Sequence, residues 1–201
     1  MTSALKARVD SLEKSILAEL ELLKPACPEQ IRSVFEKSFD RVISELMKTE
    51  LLGNVPAVPM ITMPYLGIYG LAQMVKHNGN VCQVRLAPET ITDTRESKMP
   101  LDLSWALDVE DGTKTLGKHF DLAGNEILQS NRLPLTVTGI LNLGRGGVLS
   151  RHNVVATGSR LGDDGVALLW LSGGEPKLYW SWASFSDAEW GSASCGRYLE
   201  L

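Results

Sequence analysis

Leu101-Asp102-Leu103-Ser104-Trp105-Ala106-Leu107-Asp108-Val109 alternates large apolar residues with small or acidic ones over nine positions. Successive side chains of a strand point to opposite faces, so this stretch reads as a β-strand with one buried and one wet face. Asp111-Gly112 follows as a turn. The strand marks the change from a helical N-terminal part to a body built on sheet. On the C-terminal side, Asn153–Thr157, Val166–Leu171 and Lys177–Trp182 also read as strands. The last two are separated by Gly173-Gly174-Glu175-Pro176, which predicts a hairpin with a loop of about five residues. Residues 121–132 and 136–143 read as helices, and Val81–Leu86 as another strand. Leu71, Met74 and Val75 fit a short helix with Lys76 and His77 in its last turn and Gly79 as its C-cap.

Toward the N-terminus the period changes. Leu5, Val9, Leu12, Ile16, Leu20 and Leu23 fall on one helical face. Pro25 and Pro28 stop that helix. A second helical run carries Ile31, Val34, Phe35, Phe39, Val42, Ile43 and Leu46. The short Pro-Ala-Cys-Pro connection predicts an antiparallel helical hairpin over residues 1–52. Residues 53–64 hold Pro56, Pro59 and Pro64 and form a proline-rich connection, with an apolar stretch over 58–63 as a short strand. Residues 65–201 make the body. Helices and strands mix without regular alternation, so the expected class is α+β, with a mostly antiparallel sheet.

The composition sets limits. In 201 residues there are 20 Lys and Arg against 24 Asp and Glu, a formal net charge of −4. That argues against nucleic acid as a partner of the whole surface. The 44% hydrophobic and 22% charged residues are those of a packed globular chain rather than a disordered one. No apolar run reaches the roughly 18 residues that span a bilayer, and the charged first 30 positions lack a secretory core. Cys27, Cys82 and Cys195 are too few and too scattered for a disulfide framework. The expected setting is cytoplasmic, without membrane association. His77, His119 and His152 have no metal-ligand spacing, and no cofactor motif occurs. Asp108, Glu110 and Asp111, like Asp163-Asp164-Gly165, read as solvated turns rather than a calcium loop.

Three features bear on function. Between Glu126 and Asp163 there is no acid, and that window holds Arg132, Arg145, Arg151, His152 and Arg160 around Leu143-Gly144-Arg145-Gly146-Gly147. Glycines open backbone N–H groups to an anion and arginine forks grip it, so Arg145, Arg151, His152 and Arg160 are the candidate ligand residues, and an anionic small molecule is the ligand such a site would take. The competing reading has the glycines end a helix and the arginines pair with distant acids.

Second, Trp170, Tyr179, Trp180, Trp182, Phe185 and Trp190 place six of thirteen aromatic residues in 21 positions. In an extended strand Trp180 and Trp182 share a face with Leu178 and oppose Tyr179, so each face carries an aromatic. Core packing on both faces is the expectation. A stacking platform at Trp180 and Trp182, beside the arginines, is the alternative. Third, Cys195 or Ser194 with His152 as base would make a small hydrolase or transferase, with Asp163 or Asp164 to orient the histidine, although no nucleophile-elbow motif surrounds either residue.

Several short matches resemble a bacterial protein family known only as a domain of unknown function. They are Leu135-Thr136, Gly158-Ser159-Arg160, Ala167-Leu168-Leu169-Trp170-Leu171, Pro176-Lys177-Leu178, Trp180-Ser181-Trp182 and Trp190-Gly191-Ser192-Ala193-Ser194, with Phe39-Asp40-Arg41 further upstream. The resemblance covers mainly residues 133–197. Ser181 and the inserted-looking Ala183-Ser184-Phe185-Ser186 depart from it. It implies a bacterial, cytosolic, single-module protein and carries over no activity and no site residues. The sequence thus leads to a non-catalytic binding or regulatory module that self-associates or docks a protein partner through its N-terminal hairpin. A hydrolase or transferase and a purely structural subunit are the alternatives.

Overall fold

The computed structural model describes residues 3–201, so the first two positions of the expected helical stretch lie outside the described residues. In chain order the elements are α1 (Ser3–Leu23), α2 (Glu29–Lys37), α3 (Phe39–Met47), β1 (Val55–Met60), α4 (Met63–Met74), β2 (Lys76–His77), β3 (Asn80–Val81), β4 (Gln83–Val84), β5 (Ile91–Asp93) and β6 (Ser104–Val109). They continue with α5 (Phe120–Gln129), β7 (Leu133–Pro134), α6 (Val137–Gly144), β8 (Asn153–Leu161), β9 (Gly165–Ser172), β10 (Glu175–Trp182), β11 (Trp190–Ser192), β12 (Ser194–Cys195) and β13 (Arg197–Glu200). The fold is α+β, with mixed sheets.

Leu12, Ile16, Leu20 and Leu23 are the buried stripe of α1. The second helical run is two helices rather than one. It divides at Ser38, whose hydroxyl donates to the Phe35 carbonyl at 2.7 Å and accepts from the Trp105 indole Nε1 at 2.8 Å. A serine that bonds its own preceding turn competes with the helix ladder. The gain is a partner for a fully buried Trp105, whose ring also meets Phe35 edge-on at 5.5 Å. The helical segment and the sheets share one hydrophobic core, in which Ile16, Leu23, Phe35 and Leu46 join Met60, Trp105 and Leu107. Fully burying each such side chain is worth about 1.5–3 kcal/mol, so α1 to α3 are held by this packing more than by their intrinsic helicity.

The alternating stretch forms β6, but only from Ser104, and neither face is wet. Leu101 lies outside the strand and is 79% exposed. The strand is central in a three-stranded antiparallel sheet, β1-β6-β13, and all six of its residues are buried. Ser104 and Ala106 are small enough to be covered, and Asp108 is paired to Arg132. Pro56 and Pro59 sit in β1, an edge strand, where a missing N–H costs no ladder bond on the open side.

The larger sheet has the order β11-β8-β9-β10-β4, with β5 also on β8; β4 and β11 run parallel to their neighbours. On one face Val154, Leu169 and Leu178 belong to the main core. On the other, Val155, Val166 and Leu168 pack with Phe120 of α5 and with Trp190 in a smaller cluster. Two tight turns replace looser expectations. Gly173-Gly174 alone joins β9 to β10, with φ of 62° and 82°. Asn78-Gly79 joins β2 to β3 with φ of 49° and 83°, so Gly79 serves a hairpin and not a helix C-cap, and Lys76 and His77 are strand residues. Both positive φ values suit the right-handed twist of flanking strands. No helix among the described residues is long and apolar enough to cross a membrane.

Replacing Ser38 by alanine leaves the buried indole N–H of Trp105 without its acceptor. An unsatisfied buried donor costs about 1–3 kcal/mol, so the unfolding free energy of S38A in urea titrations falls by that amount, read by tryptophan fluorescence. A stability equal to that of the parent protein would mean that the indole finds another acceptor.

Candidate functional site

The arginine-rich window does not assemble into one anion site. Arg145, at the C-terminal end of α6, is buried; its Nη2 donates to the Pro59 carbonyl at 2.6 Å and its Nε to the Asn142 carbonyl at 3.1 Å. It thereby fastens α6 to β1. Arg151 donates to Asp111 Oδ2 at 2.6 Å, and His152 Nε2 lies 3.0 Å from the Asp111 carbonyl oxygen. Arg160 donates to the main-chain carbonyls of Thr157 and Ser159 and to Asp121 at 3.3 Å. Only Arg151 and His152 converge, and they converge on an acid already inside the protein. Burial opposes the charge of Asp111, but hydrogen bonds from Thr113, Asn54 and Arg151 outweigh it and hold the carboxyl below its usual range. The partners of the acid-free window are thus Asp111, Asp121 and the Pro59 carbonyl, all distant in sequence, together with carbonyls of its own turns at Asn142, Thr157 and Ser159.

Cys195 and Ser194 lie on β12. Burial pushes the Cys195 thiol up to about 12, against a weak opposing pull from Tyr198 and Arg132. A thiolate is the nucleophilic form, so this cysteine is inert at neutral pH. No hydrogen bond links it to His152 among the described residues. Ser194 Oγ accepts from Arg132 Nε at 3.0 Å, so its neighbour is a cation and not a general base. Arg132 also donates from Nη1 to Asp108 Oδ2 at 2.6 Å and from Nη2 to the Asp108 carbonyl. Sequence reasoning missed this pair, because an acid on an alternating strand reads as solvent-facing.

The aromatic strand gives a different result. Trp170, Trp190 and Phe120 meet on the α5 face of the larger sheet, with ring centroids 5.7–6.0 Å apart. Trp180 and Trp182 are on the opposite face and are not core. Trp180 is 36% and Trp182 59% exposed. Their strand partners explain this. On that face Leu178 opposes Leu169 under the main core, whereas Trp180 opposes Ala167 and Trp182 opposes Gly165. Neither residue presents a side chain that could cover an indole, Ala167 being fully buried and Leu161 closing over Gly165. The rings stand at 87° to each other with centroids 5.1 Å apart, making a corner rather than a flat platform.

That corner is one wall of a groove of about 500 Å³. Ala87 and Thr90 line the groove, as does the β8–β9 turn with Leu161, Asp163 and Asp164. Asp163 and Asp164 are exposed, and among the described residues neither carboxylate makes a hydrogen bond or ion pair. No described lysine or arginine lines the groove. The tryptophans therefore sit beside acids and not beside Arg145, Arg151 or Arg160. The Asp-Asp-Gly turn is solvated as the sequence implies, but its position against the indoles needed the β9–β10 register to be seen. No group of three or more His, Cys, Asp or Glu among the described residues is placed to hold a metal ion. Comparison with protein-family models, with curated proteins and with solved structures finds no match to this chain.

Glu19 of α1 stands near Arg145, and burial raises its carboxyl to about 7 despite the pull of that arginine. A carboxyl with a raised folded pKa favours folding below its unfolded value near 4.5, and that contribution is lost as pH rises toward 7. The expected outcome is a parent protein that loses stability between pH 5 and pH 7 and a Glu19→Gln variant that loses less, in urea titrations at both pH values. Equal slopes would show that Glu19 ionises freely.

Proposed function

We propose that this chain is a non-catalytic binding module whose recognition surface is the groove at Trp180 and Trp182. One observation carries the reading. Two large indoles stand uncovered on a fully paired strand, beside two carboxylates without partners among the described residues, while Arg132, Arg151 and Arg160 are paired to Asp108, Asp111 and Asp121. Exposed tryptophan on a regular strand is ordered contact area available at little entropic cost. Against the hydrolase or transferase reading stand the buried thiol of Cys195 and the arginine on Ser194. The resemblance to a bacterial family of unknown function adds no activity. Three free, buried cysteines support a reducing, cytoplasmic setting.

Native mass spectrometry of gently purified protein tests the reading. The expected result is a mass excess that denaturation removes, present on the parent chain and absent from the Trp180→Ala/Trp182→Ala double variant. An excess of equal size on the variant would place the ligand elsewhere.

A second surface belongs to the N-terminal helices. Leu17, Leu20 and Phe39 line a groove of about 430 Å³ whose rim carries both signs of charge, in Glu21, Lys24, Glu36, Lys37 and Asp40. Leu17 is half exposed there. A rim of mixed sign is self-complementary, which suits a second copy of this chain in an isologous contact. Light scattering of the parent protein at tens of micromolar is expected to give a dimer, and of Leu17→Glu a monomer. A parent protein that is monomeric at that concentration overturns the self-association.

A further inference from the structure

With the Trp180–Trp182 groove taken as the recognition surface, a reading on which this inference rests, the chemistry of its walls specifies the ligand further. We propose that the groove selects a compact organic cation, a small molecule with a quaternary or alkylated ammonium head. Three independent features of the groove converge on this class.

The first is ring geometry. Indole faces carry negative electrostatic potential and attract a cation placed within about 6 Å of the centroid. Two indoles in edge-to-face contact at 87°, with centroids 5.1 Å apart, make a corner in which a rounded group meets an open ring face beside the second ring. A pyranose would need one broad face to lie flat on, with amide or guanidinium groups around its edge. No described Asn, Gln or Arg lines this groove.

The second is charge. Asp163 and Asp164 are exposed and have no cationic partner among the described residues, and no described Lys or Arg lines the groove. An anionic occupant would meet both carboxylates without compensation. A cation supplies the missing counter-charge, and its alkyl groups cover the indole faces at the same time. The nearest arginines to the groove in sequence are committed elsewhere, Arg85 to Gln83 Oε1 and Arg160 to Asp121.

The third is size and rigidity. About 500 Å³ falls in the range of small-molecule sites, and the two tryptophans are carried by a strand paired along its whole length with β9. The site is formed before the ligand arrives.

Titration with tetramethylammonium chloride at constant ionic strength tests this, read by the indole N–H resonances of Trp180 and Trp182 in nitrogen-15 correlation spectra of the full chain. The expected result is saturable shifts of those two resonances. The neutral isostere of choline, 3,3-dimethylbutan-1-ol, is expected to bind at least roughly fivefold more weakly than choline itself, because it has the same shape without the charge. Asp163→Asn/Asp164→Asn is expected to weaken tetramethylammonium binding by a similar factor with the spectrum otherwise unchanged. Trp182→Ala removes the response. Trp182→Phe keeps part of it.

Equal binding of the alcohol and of choline would overturn the cation preference, as would shifts caused by glucose in place of tetramethylammonium. Either result, if lost in Trp182→Ala, leaves the groove a binding surface of another chemistry. The absence of any saturable shift with tetramethylammonium also overturns the cation preference. The groove itself then stands or falls on whether the parent's mass excess is lost in the Trp180→Ala/Trp182→Ala double variant. The two failures are therefore separable.

Discussion

The ion pair of Asp108 and Arg132 is the contact on which the body's connectivity turns. Asp108 lies near the end of β6 with φ of +55°, a conformation uncommon for a non-glycine residue and met more often in Asp and Asn. Its carboxylate accepts from the Gly53 N–H ahead of β1 at 2.5 Å and from Arg132 ahead of β7, and its carbonyl accepts from Gly196 between β12 and β13. Arg132 reaches on to Ser194, which bridges Glu110. Segments distant in sequence are thus pinned by one buried pair. Such a pair adds little net stability over a well-packed apolar substitute, yet losing one partner leaves an uncompensated buried charge that costs about 3–5 kcal/mol. Its value is geometric. It fixes where the chain leaves one sheet and enters the next.

Around that pin the molecule divides its polar groups into two kinds. Asn142 on α6 is nearly fully buried, accepts from the Ile61 N–H and donates to the Ile61 and Thr138 carbonyls. Arg145, one turn further along, fastens the same helix to β1. These residues close the structure upon itself. Trp180, Trp182, Asp163 and Asp164 are the other kind, with side chains that face outward and have no hydrogen-bonding duty within the described fold. A surface whose polar and aromatic groups are left over after folding is where recognition has room to act.

Much of the fold was legible in the sequence because period is a local property. Helical spacing in α1, the helix that begins after Thr136 and the strand pattern of β9 all depend on residues close in the chain. The break at Ser38 was not legible. No proline or glycine marks it, and its cause is an indole 67 positions away. The dry second face of β6 was hidden for a related reason. Alternation says that two faces differ, not what lies over each. Asn78-Gly79 did carry a readable hairpin signal, obscured by the helical spacing just before it. For the site, the arginines stood out as an acid-free cluster although their partners, Asp111, Asp121 and the Pro59 carbonyl, were distant. The exposure of Trp180 and Trp182 depended on which residues faced them across the ladder, and Gly165 and Ala167 become their partners only once the register is known.

The placement of β13 has a consequence for the chain as it is made. β6 lies between β1 and β13, and β13 occupies residues 197–200. On a ribosome, the helices, β1 and β6 are all synthesised long before the strand that covers the open edge of β6. Until then a buried, largely apolar strand presents one row of unpaired backbone groups to the surrounding protein. The nascent chain therefore needs shielding from the time β6 emerges until β13 follows it, and its long-range pairing makes it a slow folder for its size. Cells that make this protein quickly would be expected to hold more of it on chaperones than a helical chain of the same length.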